Sequence, residues 1–147
     1  MVSDHEFSAG GIVLKKENGV IHILLAQHAK HKGWGFPKGH IADKIENESQ
    51  ESTAIREVKE ETGIDAQIIS FASEENYTFT LHSDKRKKTV YYFFMQYTGG
   101  DFSEKDHEMM DVTWIPMDNV EEKLTYKNAK KMFRKLIPKI NLLAQQL

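Results

Sequence analysis

Short segments in which apolar and β-branched residues predominate or alternate with polar ones recur along the chain, which predicts a β-rich protein. Glu17-Asn18-Gly19 is typical of a hairpin turn, so the second strand should return from the first. The run from Val90 to Met95 is almost entirely apolar or aromatic and favours a central position. The predicted strands are Phe7–Leu14, His22–Ala26, Ala66–Glu75, Tyr77–Leu81 (an additional segment), Thr89–Tyr97 and Asp111–Ile115.

One segment, Gln50–Thr62, has helical periodicity together with both end signals. Ser49 is a plausible N-cap, and Gly63 stands where a helix often ends in a left-handed residue. The residues expected to face the core are Ala54, Ile55, Val58 and Thr62.

The remaining chain predicts two further helices, Met117–Leu124 and the amphipathic Tyr126–Ile137. Pro138 should either stop the second helix or open a final helical turn to Leu147. His28–Pro37 is expected to be a loop closed by aromatic residues. There are no repeats and no linkers, so the pattern indicates one mixed α/β domain over residues 1–147.

Composition narrows the class of protein. The 147 residues have a formal net charge of −2, which argues against a protein wrapped in nucleic acid, and no cysteine, which excludes disulfides and thiolate metal sites. The segment Met1–Glu6 lacks the pattern of a signal peptide, and no apolar stretch approaches the length of a membrane span. We therefore expect a soluble, cytoplasmic protein without membrane contact.

Three carboxylates are crowded on one face of the first predicted helix. Glu57, Glu60 and Glu61 stand at i, i+3 and i+4, where like charges repel by roughly 0.2–0.5 kcal/mol per pair. A divalent cation would offset this repulsion, and an all-oxygen cluster suits Mg²⁺ or Mn²⁺. The alternative is a solvated acidic face, partly relieved by Arg56 beside Glu60.

The flanking residues identify a family. Arg56-Glu57-Val58-Lys59-Glu60-Glu61-Thr62-Gly63-Ile64, with Glu48 upstream and Gly39 before it, resembles the Nudix hydrolase signature. The family pattern has five residues between the glycine and the first glutamate, whereas His40–Asn47 supplies eight. We interpret Ala42–Asn47 as carrying a three-residue insertion in a surface loop, which costs little entropy.

The resemblance implies both a fold and a reaction. The fold is an α/β/α sandwich with a central mixed β-sheet and a loop–helix–loop catalytic motif. The reaction is metal-dependent hydrolysis of a nucleoside diphosphate linked to another moiety. Glu57 and Glu61 match metal ligands, Glu60 a further ligand, and Gly39 a glycine whose carbonyl can complete the metal shell. Arg56 and Glu48 match a pair that orients the helix.

Residues outside the signature resemble the diadenosine tetraphosphate hydrolase branch, whose members release ATP and AMP. The matching segments are Trp34–His40, Asn76-Tyr77, Lys88–Tyr92 and Asp106-His107-Glu108, six residues before Trp114. House-cleaning nucleotide pyrophosphatases share much of this pattern. Nucleoside triphosphates, ADP-ribose and RNA 5′ ends therefore remain alternative substrates.

Five accessory residues are candidates for substrate binding or catalysis. Tyr77 can stack on a base or be an ordinary strand tyrosine, and Lys38 and Lys88 can meet phosphate, although Lys85–Lys88 also fits a solvated hairpin tip. Glu108 can approach the metals as a fourth carboxylate. His40 can position water or phosphate, or bond locally.

Two function classes follow from these residues. The first is a hydrolase that acts on a small nucleotide with Mg²⁺ or Mn²⁺. The second is a catalytically silent nucleotide-binding regulator on the same fold. The complete set of Glu57, Glu60, Glu61, Arg56 and Glu48 favours the enzyme, because a sensor has no need of a metal cluster. No pattern in the chain indicates an oligomeric state.

Overall fold

A computed structural model describes residues 5–42 and 45–147. The segment Met1–Asp4 and the pair Asp43-Lys44 lie outside the described residues, so the expected insertion in Ala42–Asn47 is described only in part. The elements are β1 His5–Glu17, β2 Val20–His28, β3 Trp34–Gly35, β4 Lys38–His40, α1 Gln50–Thr62, β5 Ile64–Leu81, β6 Asp84–Gly100, a 3₁₀ turn Phe102–Glu104, β7 Met109–Pro116, α2 Met117–Lys123 and α3 Lys127–Ala144.

The strands form one mixed sheet in the order β3-β2-β1-β6-β5, with β4 pairing with β1 and β7 with β2. The long central pair β1–β6 is parallel, running from His5 opposite Lys87 to Leu14 opposite Gln96. All other pairs are antiparallel. The predicted central mixed sheet is present, and β6 is central as its apolar run indicated.

Side chains alternate along β1, so the sheet buries both of its faces. Val13 points to the face covered by α1, where it joins Val58. Ile12 points to the opposite face, where it joins Phe133 of α3. The arrangement is an α/β/α sandwich. Within the described ranges, no helix is long and apolar enough to cross a membrane.

Helix α1 has the predicted bounds. The Ser49 side chain accepts from the backbone N–H of Ser52 at 3.0 Å, and Gly63 ends the helix with φ of 81°. The prediction that Ile55 faces the core is wrong, because its side chain is 41% exposed. Glu57 and Glu61 take the buried positions beside Ala54 and Val58 instead, with only 6% and 7% exposure for the two glutamates.

Two strand predictions need correction. The predicted loop His28–Pro37 contains β3, because its Trp34-Gly35 pair extends the sheet beyond β2. The two predicted segments Ala66–Glu75 and Tyr77–Leu81 are parts of one continuous strand, β5, which pairs with β6 from Ile64 to Leu81. The pairing shifts register at several irregular positions along the way. Bulges of this kind let one strand continue through positions where the alternation of side chains is broken.

Helix α3 continues through Pro138, so neither predicted outcome for this proline is correct. A proline inside a helix costs about 3 kcal/mol or more, since it removes a backbone hydrogen bond and crowds the preceding turn. Met132 and Phe133 before the proline and Ile140 and Leu143 after it are buried in the same apolar cluster. Burial on both sides outweighs the local cost.

Pro138→Ala should therefore raise the free energy of unfolding by up to about 3 kcal/mol, because alanine restores the missing N–H donor without altering the buried face. Urea denaturation of the wild type and the variant measures this change. Lys139→Ala, on the exposed side of the same helix, is the control and should change stability by only a few tenths of a kcal/mol. A destabilised Pro138→Ala variant would contradict the interpretation.

Candidate active site

The site begins where β4 meets α1. Gly39 pairs with Ala9 of β1, and a Cβ atom built on Gly39 would overlap the carboxylate of Glu57. Only a glycine lets the β4 backbone lie so close to this carboxylate. The contact leaves the main chain of Gly39 beside an acidic side chain, as the expected role in a metal shell requires.

Glu61 is the second buried carboxylate of α1. One of its oxygens accepts a hydrogen bond from the Lys38 backbone N–H at 3.2 Å. Burial raises the pKa of Glu61 to about 8, and the negative charges of Glu57 and Asp106 act in the same direction. The Lys38 side chain partly opposes them. The surroundings of Glu61 therefore disfavour its negative charge unless additional positive charge is present.

Arg56 holds the acidic face together. It donates to both oxygens of Glu48, at 2.9 and 2.8 Å, and one Nη also reaches Glu60 at 2.8 Å and Glu57 at 3.2 Å. Hydrogen bonds from Arg56 hold the pKa of Glu48 below its usual range, and Glu48 in turn raises the pKa of Arg56. The Glu48 side chain, only 4% exposed, also accepts from the Thr53 hydroxyl at 2.8 Å. The ion pair between Arg56 and Glu48 that the resemblance implied is therefore present.

The donor set fits a hard divalent cation. Glu57, Glu60 and Glu61 offer carboxylate oxygens, and the Gly39 backbone lies close to the Glu57 carboxylate. As the side chains stand, no three His, Asp or Glu groups of residues 5–42 and 45–147 are arranged to hold a metal. Arg56 already engages Glu57 and Glu60, so metal binding requires these two carboxylates to turn from the guanidinium.

A cavity of about 580 Å³ opens beside these carboxylates. Glu61 of α1 and Lys38 of β4 line it from one side, and the half-buried Tyr77 of β5 lines it from the sheet. Burial raises the pKa of Tyr77, so its hydroxyl stays protonated. Phe36 also lines the cavity from the core, whereas Trp34 lies under Lys123, whose Nζ is 4.3 Å from the ring centroid. A carboxylate, a lysine and a tyrosine thus line one cavity.

The structure separates the other two candidate binding residues. Lys88 lies opposite Tyr77 in the β5–β6 ladder, and burial together with the positive charge of Lys38 lowers its pKa to about 8. Neither Lys88 nor His40 is among the residues that line the cavity. His40 is exposed and has its Nε2 2.9 Å from a Glu6 carboxylate oxygen. The local bonding that was the alternative for His40 is what the structure contains.

The loop before β7 carries the predicted carboxylate Glu108 and also Asp106. Glu108 is exposed, whereas the backbone N–H of Asp106 donates to the Glu60 carbonyl at 2.8 Å and its charge raises the pKa of Glu61. Sequence reasoning quoted Asp106 only as part of a motif. It also missed several residues that line the cavity, namely His31, Glu75, Tyr126, Lys131 and Lys135. An aromatic residue just before an amphipathic helix was the available signal for Tyr126.

Comparison with known proteins decides the family. The model of the NUDIX domain matches residues 4–136. The chain belongs to the Nudix family. This confirms the resemblance drawn from the signature, and the relatives named below as hydrolases and phosphatases confirm the prediction of an enzyme family.

Three Nudix relatives or structures are informative. A Mycobacterium tuberculosis protein named as the mutator protein MutT4 is 34% identical over 87% of this chain and 53% of its own length. The bis(5′-nucleosyl)-tetraphosphatase [asymmetrical] of Caenorhabditis elegans is 28% identical over 87% of this chain and 91% of its own. The crystal structure of a C. elegans Ap4A hydrolase binary complex superposes with a TM-score of 0.75 at 24% identity, covering 92% of this chain and 98% of that one. These likenesses confirm the predicted Nudix fold.

The relatives differ in how much of them the chain matches. It spans about half the length of MutT4 and 42% of the 8-oxo-(d)GTP phosphatase of Mycolicibacterium smegmatis, with which it is 28% identical over 92% of the chain. Names of relatives therefore establish the family of this domain rather than a substrate.

Mg²⁺ or Mn²⁺ should stabilise the folded protein, because a bound cation offsets the repulsion among the α1 carboxylates in the native state only. At a metal concentration a hundred times Kd, the gain is about 2.7 kcal/mol. Thermal melting with increasing metal measures it. Glu61→Gln should reduce the gain, while Glu51→Gln, exposed in the first turn of the same helix, should preserve it. A wild type indifferent to millimolar metal would exclude a site here.

Gly39→Ala should weaken metal binding by about 10–100-fold, the range found when a group that orients a ligand is altered. The added methyl group would push the Glu57 carboxylate away. Gly35→Ala is the matched control, since nothing lies within 4 Å of a Cβ at that position. Mn²⁺ titration followed by melting temperature compares the two variants, and equal affinities would refute the role of the contact.

Proposed function

We propose that this Nudix domain hydrolyses dinucleoside polyphosphates with Mg²⁺ or Mn²⁺, cleaving diadenosine tetraphosphate asymmetrically to ATP and AMP. The observation that carries this proposal is the single cavity that contains both Glu61 with Lys38 and the aromatic ring of Tyr77. A nucleotide entering it can place phosphate beside the carboxylates and its base on the ring. The named activity of the C. elegans tetraphosphatase, which this chain matches over nearly its whole length, supports this choice.

A nucleoside triphosphate is the second candidate substrate. The relatives named MutT4 and 8-oxo-(d)GTP phosphatase favour it, because the chain aligns with both over most of its own length. A silent regulatory domain is less well supported. The buried Glu57 and Glu61 and the engagement of three carboxylates by Arg56 have a stability cost that a binding module need not bear.

The proposed metal ligands are Glu57 and Glu61, with Glu60 and the Gly39 carbonyl completing the set. When bound, the cation supplies Lewis-acid polarisation of phosphoryl oxygens and offsets charge that develops on the leaving phosphate. Arg56 and Glu48 contribute position. Their bidentate ion pair connects the loop before α1 to the helix. The α1 carboxylates are thereby held in a fixed position relative to that loop.

Lys38 and Lys88 provide the proposed phosphate contacts. The two ammonium groups are close enough for Lys38 to depress the pKa of Lys88, so this place repels a second cation and attracts an anion. Tyr77, directly opposite Lys88 in the ladder, offers its ring to the adenine. Phosphate and base are then recognised by adjacent strand positions. We propose the cytoplasm, where free nucleotides are available, as the compartment.

Diadenosine tetraphosphate should give equal amounts of AMP and ATP, with ¹⁸O from labelled water in one product only. Hydrolysis of diadenosine tetraphosphate, ADP-ribose and nucleoside triphosphates is measured with Mg²⁺ or Mn²⁺. The products are identified by chromatography and mass spectrometry. Glu57→Gln should abolish most turnover in every case, since losing a ligand removes several kcal/mol of charge stabilisation. Two ADP molecules would exclude asymmetric cleavage. Turnover of a triphosphate alone would move the assignment to the second candidate.

Tyr77→Ala should raise KM for diadenosine tetraphosphate by roughly 5–100-fold with a smaller change in kcat, because stacking on a base contributes about 1–3 kcal/mol in ground and transition states alike. Tyr77→Phe keeps the ring and is the matched control, expected near the wild-type KM. Steady-state kinetics with both variants distinguishes stacking from a hydroxyl contact. If Phe were as damaging as Ala, the ring would not be the recognition element.

A further inference from the structure

Strand β5 forms an uncovered edge of the sheet. It stands last in the strand order β3-β2-β1-β6-β5, and among the described residues its only strand partner is β6. In an antiparallel pair, an edge strand directs about half of its backbone N–H and C=O groups away from its neighbour. Those groups can form hydrogen bonds with a strand of another chain.

The second half of β5 is regular and lacks the usual features that block an edge. The register against β6 shifts at several places before Ser73, and the pairing then continues without a shift from Ser73 to Leu81. Bulges, lysines and prolines commonly prevent an edge strand from pairing with another chain. The segment Ser73–Leu81, which we call the open edge, contains no lysine and no proline.

Opposite charges lie at the two ends of the open edge. Glu74 stands near its beginning and is exposed. Near its end, Thr80 is paired with the exposed Lys85 of β6. Positions 74 and 80 are an even number of residues apart, so the Glu74 and Lys85 side chains lie on the same face of the sheet. A strand of this kind is complementary in charge to a copy of itself that runs in the opposite direction.

Glu74 and Lys85 do not meet within one molecule. The six residues from Glu74 to Thr80, the ladder partner of Lys85, span about 20 Å at 3.4 Å per residue. In the part of the chain that the structure describes, Lys85 forms no hydrogen bond or ion pair, and Glu74 accepts only from the Asn76 amide, at 3.1 Å. The two charges are therefore available to a second molecule.

We propose that two copies of this chain associate along the open edge, antiparallel and centred on Tyr77, to form one continuous sheet. A two-fold axis at Tyr77 places Thr80 of one copy opposite Glu74 of the other. Lys85 lies on the next strand, about 10 Å from the backbone of Glu74 in the second copy, since neighbouring strands are about 4.8 Å apart. The two long side chains together span this gap, and the symmetry forms the contact twice.

The pairing brings the second copy to the rim of the cavity. Glu75 and Tyr77 line the cavity, and the axis places Phe79 of the second copy opposite Glu75. Residues directly opposite each other share one face of a sheet, so Phe79 adds an apolar side chain beside Glu75. The interface does not depend on which nucleotide the protein hydrolyses, and its test needs no substrate.

Sedimentation equilibrium of the full chain measures the dimer. The wild type should associate reversibly as protein concentration rises, and salt should weaken the dimer because the Glu74–Lys85 contacts are exposed. Glu74→Lys should weaken it by about tenfold or more, since two pairs of like charges then face each other. Glu122→Lys, exposed on α2, makes the same change of charge and should leave association unchanged. Circular dichroism verifies the fold of each variant.

Exchanging the two charges tests the register. Glu74→Lys/Lys85→Glu places opposite charges at the same two contacts, so the double variant should regain the association that Glu74→Lys loses. Failure to regain it would overturn the pairing centred on Tyr77. A wild type that remains monomeric up to millimolar concentration would overturn the proposal, and so would a dimer that Glu74→Lys and Glu122→Lys affect equally.

A distance measurement checks the same register with the native charges retained. The chain has no cysteine, so Thr80→Cys can carry a single nitroxide label. In the proposed dimer the two labelled positions are offset by six residues along the strands, about 20 Å. Pulsed EPR should detect this separation, and moving the axis by one residue would change it by about 7 Å. A distance that indicates another axis would overturn the proposed pairing.

Discussion

The bidentate ion pair between Arg56 and Glu48 is the interaction on which the site depends. Glu57 and Glu61 are buried in a helix that must also pack against the sheet, and repulsion between them disfavours that packing. Arg56 supplies the positive charge that makes the arrangement tolerable, and Glu48 fixes the guanidinium in place. A lysine could not do the same, since one ammonium group cannot satisfy Glu48 with two parallel bonds and still reach the helix carboxylates.

The Arg56 guanidinium also explains why the carboxylates of α1 are not already arranged as a metal site. Arg56 contacts Glu57 and Glu60, so the guanidinium and a cation compete for these oxygens. Glu61 is different, because its hydrogen bond comes from the Lys38 backbone rather than from the arginine. At the proposed metal site, binding of the cation would therefore displace Arg56 from Glu57 and Glu60.

Much of this fold could be predicted from the sequence where local signals agree. For α1, periodicity, the Ser49 cap and Gly63 all gave the same bounds, and the signature carboxylates converge because helical spacing alone requires it. Predictions failed where tertiary contacts override local preference. Ile55 is exposed because Glu57 and Glu61 occupy the buried stripe, and Pro138 is tolerated because apolar burial continues on both sides. Asp106 approaches Glu61 through the path of a loop, which no periodicity encodes.

The close packing around Gly39 has a consequence for how the chain can vary. Gly10 on β1 is equally constrained, since a Cβ there would overlap the Pro37 carbonyl oxygen. These two glycines fix the separation between β1, β4 and the Glu57 carboxylate, and Arg56 with Glu48 fixes the far end of the following loop. The loop between β4 and α1 is therefore held in place at both of its ends. Residues can be added within it without changing the distance between the Glu57 carboxylate and the Gly39 backbone.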